Sequence, residues 1–481
     1  MKGFFKLKPA LAVAALVIVA TAIVTALPQA ASAQGTSSGD WPTYLHDNGR
    51  SGFNSAETII NSTSASNLKL KWSYQSTGCP NSPPGSPHTI STQPVVVNGL
   101  GLIFWGSWDG CEHATDLNGN QVWTNYVGQT SASSCSPSPV GVASTVTYTT
   151  IHGNKTPVDL VGGGDANFYA LNANTGAIIW KTSLGSSPSH FIWSSPAVYK
   201  GSVYVGVASF GDCPLVQGQL VQMKVNNGAI QNIFNVVPNG CTGGGVWGSP
   251  TIDEAAGTLY FATGNGGSCS LSEPYALAVV ELSVSNLAFI GSWQVPPAQQ
   301  VGDGDFGSTP TLFQATINGS SQQLLGVANK NGIYYAWVRG NLGQGPVWQT
   351  TIASGGSCPQ CGNGSISPSA WDGSTLYAVG GNTTINGTSC QGSLRALNPA
   401  TGAFLWQDCL TTGHVFGAVT AVPGVAVVGA GPDLVAIATA SGNTLFTATG
   451  SSGATFYGGA SISNGVLYVG DTNGNLFAFA P

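Results

Sequence analysis

The chain has 481 residues, 42% of them hydrophobic and only 7% charged, with 67 glycines and a formal net charge of −6. So sparse and acidic a charge gives no electrostatic basis for binding nucleic acid, and the wealth of Gly, Ser, Thr and Asn argues for an exported β protein over a helical or disordered one. Ten cysteines in an exported chain point to as many as five disulfides, whose pairing the sequence leaves open.

Lys2, Lys6 and Lys8 precede an apolar run from Ala10 to Leu27, and Ala31-Ser32-Ala33 follows as a small-x-small cleavage site. Residues 1–33 therefore read as a secretory signal peptide, with the mature chain starting near Gln34 in an extracytoplasmic compartment. The run is also just long enough to span a bilayer, so the alternative is an uncleaved anchor, the one case in which the protein meets a membrane. Cleavage leaves ten Lys and Arg against 19 Asp and Glu, about −9 in net charge. Residues 34–67 read as an N-terminal extension and 68–481 as one repetitive domain.

The repeat is a polar turn followed by a short segment ending in an aromatic, as in "ALNANTGAIIW" (170–180) and "ALNPATGAFLW" (396–406). Terminal aromatics fall at Trp72, Trp123, Trp180, Phe234, Trp293, Trp348, Trp406 and Phe446, six intervals of 51–59 residues and a last one of 40. Such a period signifies radial or solenoid repetition. Each unit resolves into four short strands, for example "SSPAVY", "SVYVGVA", "LVQMKV" and "AIQNIF" in the third, which is the content of a propeller blade. After Phe446 only three strands remain, while "LKLKWSY" stands alone before the first unit. Pairing the two ends closes an all-β, eight-bladed propeller of four-stranded antiparallel blades and removes its open seam. The terminal aromatics are expected to wedge between neighbouring blades.

Parity sorts the loops: the connections into each first strand and those from second to third strand share one face. Six polar or aromatic residues fall there on consecutive units: Asp212, Trp247, Asn265, Asp303, Asp305 and Lys330. His190, Trp193 and His414 lie on the same face, whereas Arg50 belongs to the extension. In a chain with so few charges, carboxylates and an amide at matching positions suit a hard cation such as Ca²⁺, and a flat aromatic beside them suits a planar ligand. Cys358-Pro-Gln-Cys361 lies in a Gly/Ser-rich loop and reads as a structural bridge or as two separate ones, and Cys111-Glu112-His113 as a disulfide cysteine among loop residues.

These segments resemble the active site of the pyrroloquinoline quinone (PQQ) dependent alcohol dehydrogenases, the eight-bladed quinoproteins that include methanol, quinohaemoprotein alcohol and polyvinyl alcohol dehydrogenases. "GGGVWGSPTID" resembles the segment whose Trp lies under the quinone, here Trp247. "LYFATGN" resembles the strand and turn ending in a Ca²⁺-ligating Asn, here Asn265. "DGDFGSTP" resembles the segment with the catalytic Asp, here Asp305, and "NKNG" the position of a cation bonded to the quinone oxygens, here Lys330.

The resemblance implies PQQ and Ca²⁺ as cofactors, Asp305 and Lys330 as catalytic residues, and Asp212, Asn265 and Asp305 as metal ligands. It implies contacts to the cofactor from Trp247, Lys330, Asp303, His190 and Trp193. Its substrate would be a small or polymeric alcohol, and its electrons would leave to a separate acceptor such as a cytochrome c, since the haem domain of polyvinyl alcohol dehydrogenase has no counterpart. Asp212 stands where the family has a Glu, and the adjacent-cysteine disulfide over the quinone of methanol dehydrogenase has no counterpart either. The alternatives are a non-catalytic exported propeller acting as an interaction or assembly scaffold, and a carbohydrate-binding propeller with its aromatics spread around the rim.

Overall fold

A computed structural model describes residues 39–131, 138–151, 153 and 155–481, together with Met1 and Gly3. The chain divides after Ala33 into two compact units, and the second, Gln34–Pro481, holds the repeats. Residues 1–33, read above as a signal peptide, lie outside the described residues except for Met1 and Gly3.

Eight antiparallel sheets succeed one another, each ordered from an inner to an outer strand. The inner strands of blades 1 to 4 are Val95–Val97, Thr147–Thr150, Ala197–Tyr199 and Thr251–Asp253. Those of blades 5 to 8 are Thr311–Ile317, Ala370–Trp371, Thr420–Val422 and Ser461–Ser463. Blade 8 takes its outer strand from the other end of the chain: Lys69–Gln75 pairs antiparallel with Asn475–Ala480. The expected eight-bladed propeller and its closure are thus the fold. Blade 3 carries an extra short strand, His190–Phe191, and blade 6 an extra hairpin of Thr383–Ile385 with Thr388–Cys390.

Burial explains the strand sequences. In blade 4 the inner Thr251–Asp253 is wholly buried and the second, Thr258–Ala262, nearly so, whereas the outer Phe289–Gln294 is largely exposed. Inner strands are covered on both faces by adjacent blades and are buried even where they carry Thr, Ser or Asp, as in Thr251–Asp253 and Ser461–Ser463; outer strands are covered less and mix apolar with polar residues.

Five of the repeat tryptophans dock alike. Trp72, Trp123, Trp180, Trp348 and Trp406 donate their indole N–H to the carbonyls of Leu117, Ala173, Val225, Pro399 and Thr439 on the next blade, at 2.7–3.1 Å. Each ring also packs on a glycine of that blade's turn, where a Cβ would overlap it, as Gly402 shows beneath Trp348. Trp293 instead packs on Tyr335 and Trp337.

The extension is not a free tail. Between Trp41 and Asn54 it hydrogen-bonds the inner strand of all eight blades in turn. The backbones of Trp41 and Val96 exchange bonds, and the amides of Tyr148, Ile252, Leu312, Trp371 and Ala421 donate to Pro42, Asn48, Gly49, Ser51 and Gly52. The Asn48 and Asn54 amides complete the circuit on Val198 and Ile462. Arg50, fully buried, donates to the carbonyls of Tyr44, Pro196 and Pro250 at 2.6–3.0 Å. The segment therefore plugs one mouth of the axial channel.

Candidate functional site

The other mouth is built from the segments that lead into the inner strands. In blades 1 to 5 these are stitched by a relay in which a backbone N–H donates to a hydroxyl of the next blade: Gln93 to Thr145, Thr145 to Ser195, Ser195 to Ser249 and Ser249 to Thr309, each at 2.9 Å. The residue four places before each inner strand is half-exposed between two buried neighbours, in every blade. Trp193, Trp247, Ile366, Phe416 and Tyr457 occupy five of these positions, and the small Ser91, Ala143 and Gly307 the other three. They line the open mouth, about five residues of extended chain, roughly 16 Å, from the plug.

Trp247 and Asn265 come together because their segments pair. Gly243 and Gly266 form an antiparallel bridge, Gly244 N–H donates to the Asn265 carbonyl at 2.6 Å, and Gly264 N–H donates to that of Gly245 at 2.8 Å. The backbones approach so closely that a Cβ at Gly243 would overlap Gly267, which is why the stretch is glycine-rich. The Cys241–Cys269 disulfide closes the ribbon.

Onto this ribbon the next blade lowers its charges. The Trp247 indole N–H donates to Asp305 Oδ2 at 3.1 Å, and Lys330 Nζ lies 2.5 Å from Asp305 Oδ1, 3.1 Å from Asp303 Oδ2 and 5.2 Å from the centre of the Trp247 ring. Asn265 Nδ2 donates to Asp303 Oδ1 at 2.8 Å. Asp303 sits at φ +49°, a left-handed conformation that Asp tolerates better than most residues. Lys330 and Asp305 are largely buried, with 9% and 13% of their side-chain surface exposed, against 40% for Asp303. Burial raises the Asp305 pKa to about 6, opposed by the Lys330 ammonium and reinforced by the Asp303 carboxylate. Burial disfavours the Lys330 charge, but the two carboxylates outweigh it and hold the ammonium above its ordinary range.

Five sequence candidates, Trp247, Asn265, Asp303, Asp305 and Lys330, thus form one network. The others do not join it through any described contact. Asp212 is exposed on the loop after Ser202–Ser209. His190 faces Ser186 and Ser189, and Trp193 packs with Phe191 and Phe210 while its indole N–H donates to Ser209 O at 3.1 Å. Arg50 is committed to the plug. The acid that shares a cavity with Asn265, of about 420 Å³, is Glu273, which sequence reasoning missed because it lies in the same long loop and not on the preceding blade.

Cys358 and Cys361 do form a bridge with each other, and Cys111 pairs with Cys79. Cys111-Glu112-His113, expected among loop residues, instead opens the buried strand Cys111–Asp116. Cys390 pairs with Cys409, and Cys213 is also disulfide-bonded.

The chain belongs to the PQQ_2 family, described as outer membrane protein assembly factor BamB, whose model matches residues 112–273 and 346–481. Among curated proteins it is similar to a polyvinylalcohol dehydrogenase of Pseudomonas sp, 25% identical over 313 residues that cover 54% of this chain and 47% of that protein. A second such dehydrogenase, of Sphingopyxis sp., is 24% identical over 39% of this chain and 34% of the relative. The chain therefore spans about half or less of the length of these relatives.

Its fold is shared with the quinohemoprotein alcohol dehydrogenase of Comamonas testosteroni, with a TM-score of 0.73 and 19% identity over 92% of this chain and 80% of that one. A europium-containing methanol dehydrogenase gives 0.70 and 16% identity over 92% and 98%. BamB from Moraxella catarrhalis gives 0.52 and 15% over 86% and 98%. The likeness to PQQ-dependent alcohol dehydrogenases read from the motifs is matched by the family, the relatives and the fold.

The donor set suits the cofactors of such enzymes. Asn265, Asp303 and Asp305 offer hard oxygens for a divalent cation, Trp247 a half-exposed indole, and Lys330 a buried cation for anionic oxygens.

Proposed function

We propose that the protein is an extracytoplasmic quinoprotein dehydrogenase that oxidises an alcohol or polyol with PQQ and Ca²⁺ and passes the electrons to a separate acceptor such as a cytochrome c. The observation that carries this reading is one buried carboxyl, Asp305, held near pKa 6 between a lysine and a half-exposed tryptophan at the mouth of this propeller.

When bound, PQQ supplies the two-electron oxidant and the cation a Lewis acid. The residues of the chain do the rest. The Trp247 ring supports a planar ligand by stacking. The Asn265 side-chain oxygen and the Asp305 carboxylate would hold the cation, with Glu273 or Asp212 as a further acid. Lys330 holds positive charge where anionic oxygens develop, in a site largely screened from water. Asp303 orients Lys330 and Asn265 together. Asp305, ionised above about pH 6, accepts the hydroxyl proton of the alcohol as general base. His190 and Trp193 belong to the outer contacts of the mouth.

The test is reconstitution with PQQ and Ca²⁺ followed by dye-linked oxidation of primary, secondary and polymeric alcohols. Asp305→Asn should lower turnover by about 10²–10⁴-fold while PQQ remains bound; full turnover in that variant removes Asp305 as the base.

The family description and the likeness to BamB favour a second reading, an exported assembly scaffold. A wild-type chain that takes up no PQQ under these conditions, and co-purifies with envelope proteins through its outer surface, would support it.

A further inference from the structure

The open mouth is divided by chemistry. Its charges gather at blades 4 and 5, around Trp247, Asp303, Asp305 and Lys330. The opposite arc, from blade 7 to blade 1, presents aromatic faces instead. Phe416 stacks on Tyr457 with ring centres 4.7 Å apart and 17° between planes, and Tyr457 meets the edge of Trp108 at 6.4 Å and 71°. Trp108, from the second connection of blade 1, is fixed by its indole N–H donating to Ser91 Oγ at 2.9 Å.

Phe416, Tyr457 and Trp108 are each half-buried, so part of each ring remains in contact with solvent although Trp108 also packs against the Val140–Phe191–Phe210 cluster. Tyr457 heads blade 8 and Trp247 heads blade 4, and in a ring of eight these stand across the axis from one another. Ile366 continues the apolar arc back to Trp247: a Cβ at Gly307 would overlap both side chains, so the glycine lets the two pack over it. On the outer side, the turn closed by the Cys358–Cys361 bridge rests against the Lys330 backbone, with Gly356 N–H donating to Lys330 O at 3.1 Å. Its Gly362 packs against the His414 ring.

An alcohol whose hydroxyl sits at Asp305 and whose tail crosses the mouth meets the aromatic side. We propose that the Phe416–Tyr457–Trp108 wall binds the apolar end of the alcohol, so that the protein selects alcohols with an apolar or aromatic tail over short ones. The selectivity rests on the dehydrogenase reading above; binding to the wall does not. Phe416 and Tyr457 are then specificity-determining residues, and each methylene withdrawn from water against them strengthens binding by about two- to fourfold.

The test has two readouts on the full chain. Without PQQ, saturation-transfer NMR with benzyl alcohol should show transfer to the ring protons of the ligand. Phe416→Ala and Tyr457→Ala should reduce it by about fivefold, and Tyr457→Phe, which keeps the ring, should restore it. Undiminished transfer in both alanine variants, with unchanged melting curves to show that they fold, overturns the wall as a binding site.

With PQQ and Ca²⁺, the ratio of kcat/KM for benzyl alcohol over ethanol should fall by about tenfold in Phe416→Ala, and an unchanged ratio overturns its role in selectivity. A wild-type chain that oxidises neither alcohol removes the dehydrogenase reading and with it the selectivity, while the first readout still decides the wall.

Discussion

Asp305 owes its properties to a contest among three neighbours. Burial favours the neutral acid, Lys330 at 2.5 Å favours the carboxylate, and Asp303 pushes back toward the acid. A base with a pKa of about 6 gives a kcat/KM that rises through that pH and levels above it. Asp303→Asn removes the like charge, so the rising limb should move to lower pH; Lys330→Ala removes the stabilising cation, so it should move to higher pH. A pH profile of kcat/KM on the reconstituted variants measures both, and shifts of the opposite sign would mean that the limb belongs to another group. At this scale the sequence was informative where spacing constrains geometry. Trp247 and Asn265 are eighteen residues apart because an inner and a second strand of one blade lie between them, and that hairpin returns the chain to the same face. It was silent on how far Asp212 stands from the network, since an exposed loop separates it from its strand.

Between residues and the ring stand the devices that hold the segments. The Asn265 loop is kept against the Trp247 lead by the Gly243–Gly266 bridge and by the Cys241–Cys269 disulfide. Replacing both cysteines with serine leaves the blade its strands but frees the end of this ribbon. Ca²⁺ affinity, read by calorimetric titration, should fall by about tenfold, in line with the loss of a supporting contact at a metal site; an unchanged affinity would take Asn265 out of the metal site. The blades themselves are keyed by tryptophan on glycine. At Gly402, where φ is +70° and an added Cβ would overlap Trp348, alanine suffers both backbone strain and a clash. Gly402→Ala should destabilise by about 2–3 kcal/mol, visible as a lowered Tm. These keys were readable from the repeat phrase, which places a turn glycine a few residues before Trp123, Trp180, Phe234, Trp406 and Phe446. The aromatic wall was not: aligning the repeats on their last aromatic hides that Phe416 and Tyr457 stand at the same offset before their inner strands as Trp247 does.

Over the whole molecule, closure has two parts, and only one was legible. The orphan strand "LKLKWSY" and the three-strand last unit announced the seam between Lys69–Gln75 and Asn475–Ala480. The extension before it carries no strand pattern and no repeat, because its hydrogen bonds go to eight different inner strands one at a time, six from the backbone and two from the Asn48 and Asn54 side chains, and leave no periodicity. Its course can be read only once the ring exists. That arrangement makes Arg50 the keystone of the plug: fully buried, without a carboxylate among its described hydrogen-bond partners, it satisfies three backbone carbonyls from the extension and from blades 3 and 4. Each carbonyl left unpaired in a buried site costs about 1–3 kcal/mol. Arg50→Ala should therefore lower the Tm by about 3–6 °C, and Arg50→Lys should recover little, because one ammonium cannot reproduce a planar fork of donors. Since the plug and the charged mouth lie at opposite ends of the channel, the pH limb set by Asp305 should be the same in Arg50→Ala when assayed well below its Tm. A shifted limb would show that the two ends of the channel are coupled, and an unchanged Tm would show that the plug follows the ring without holding it.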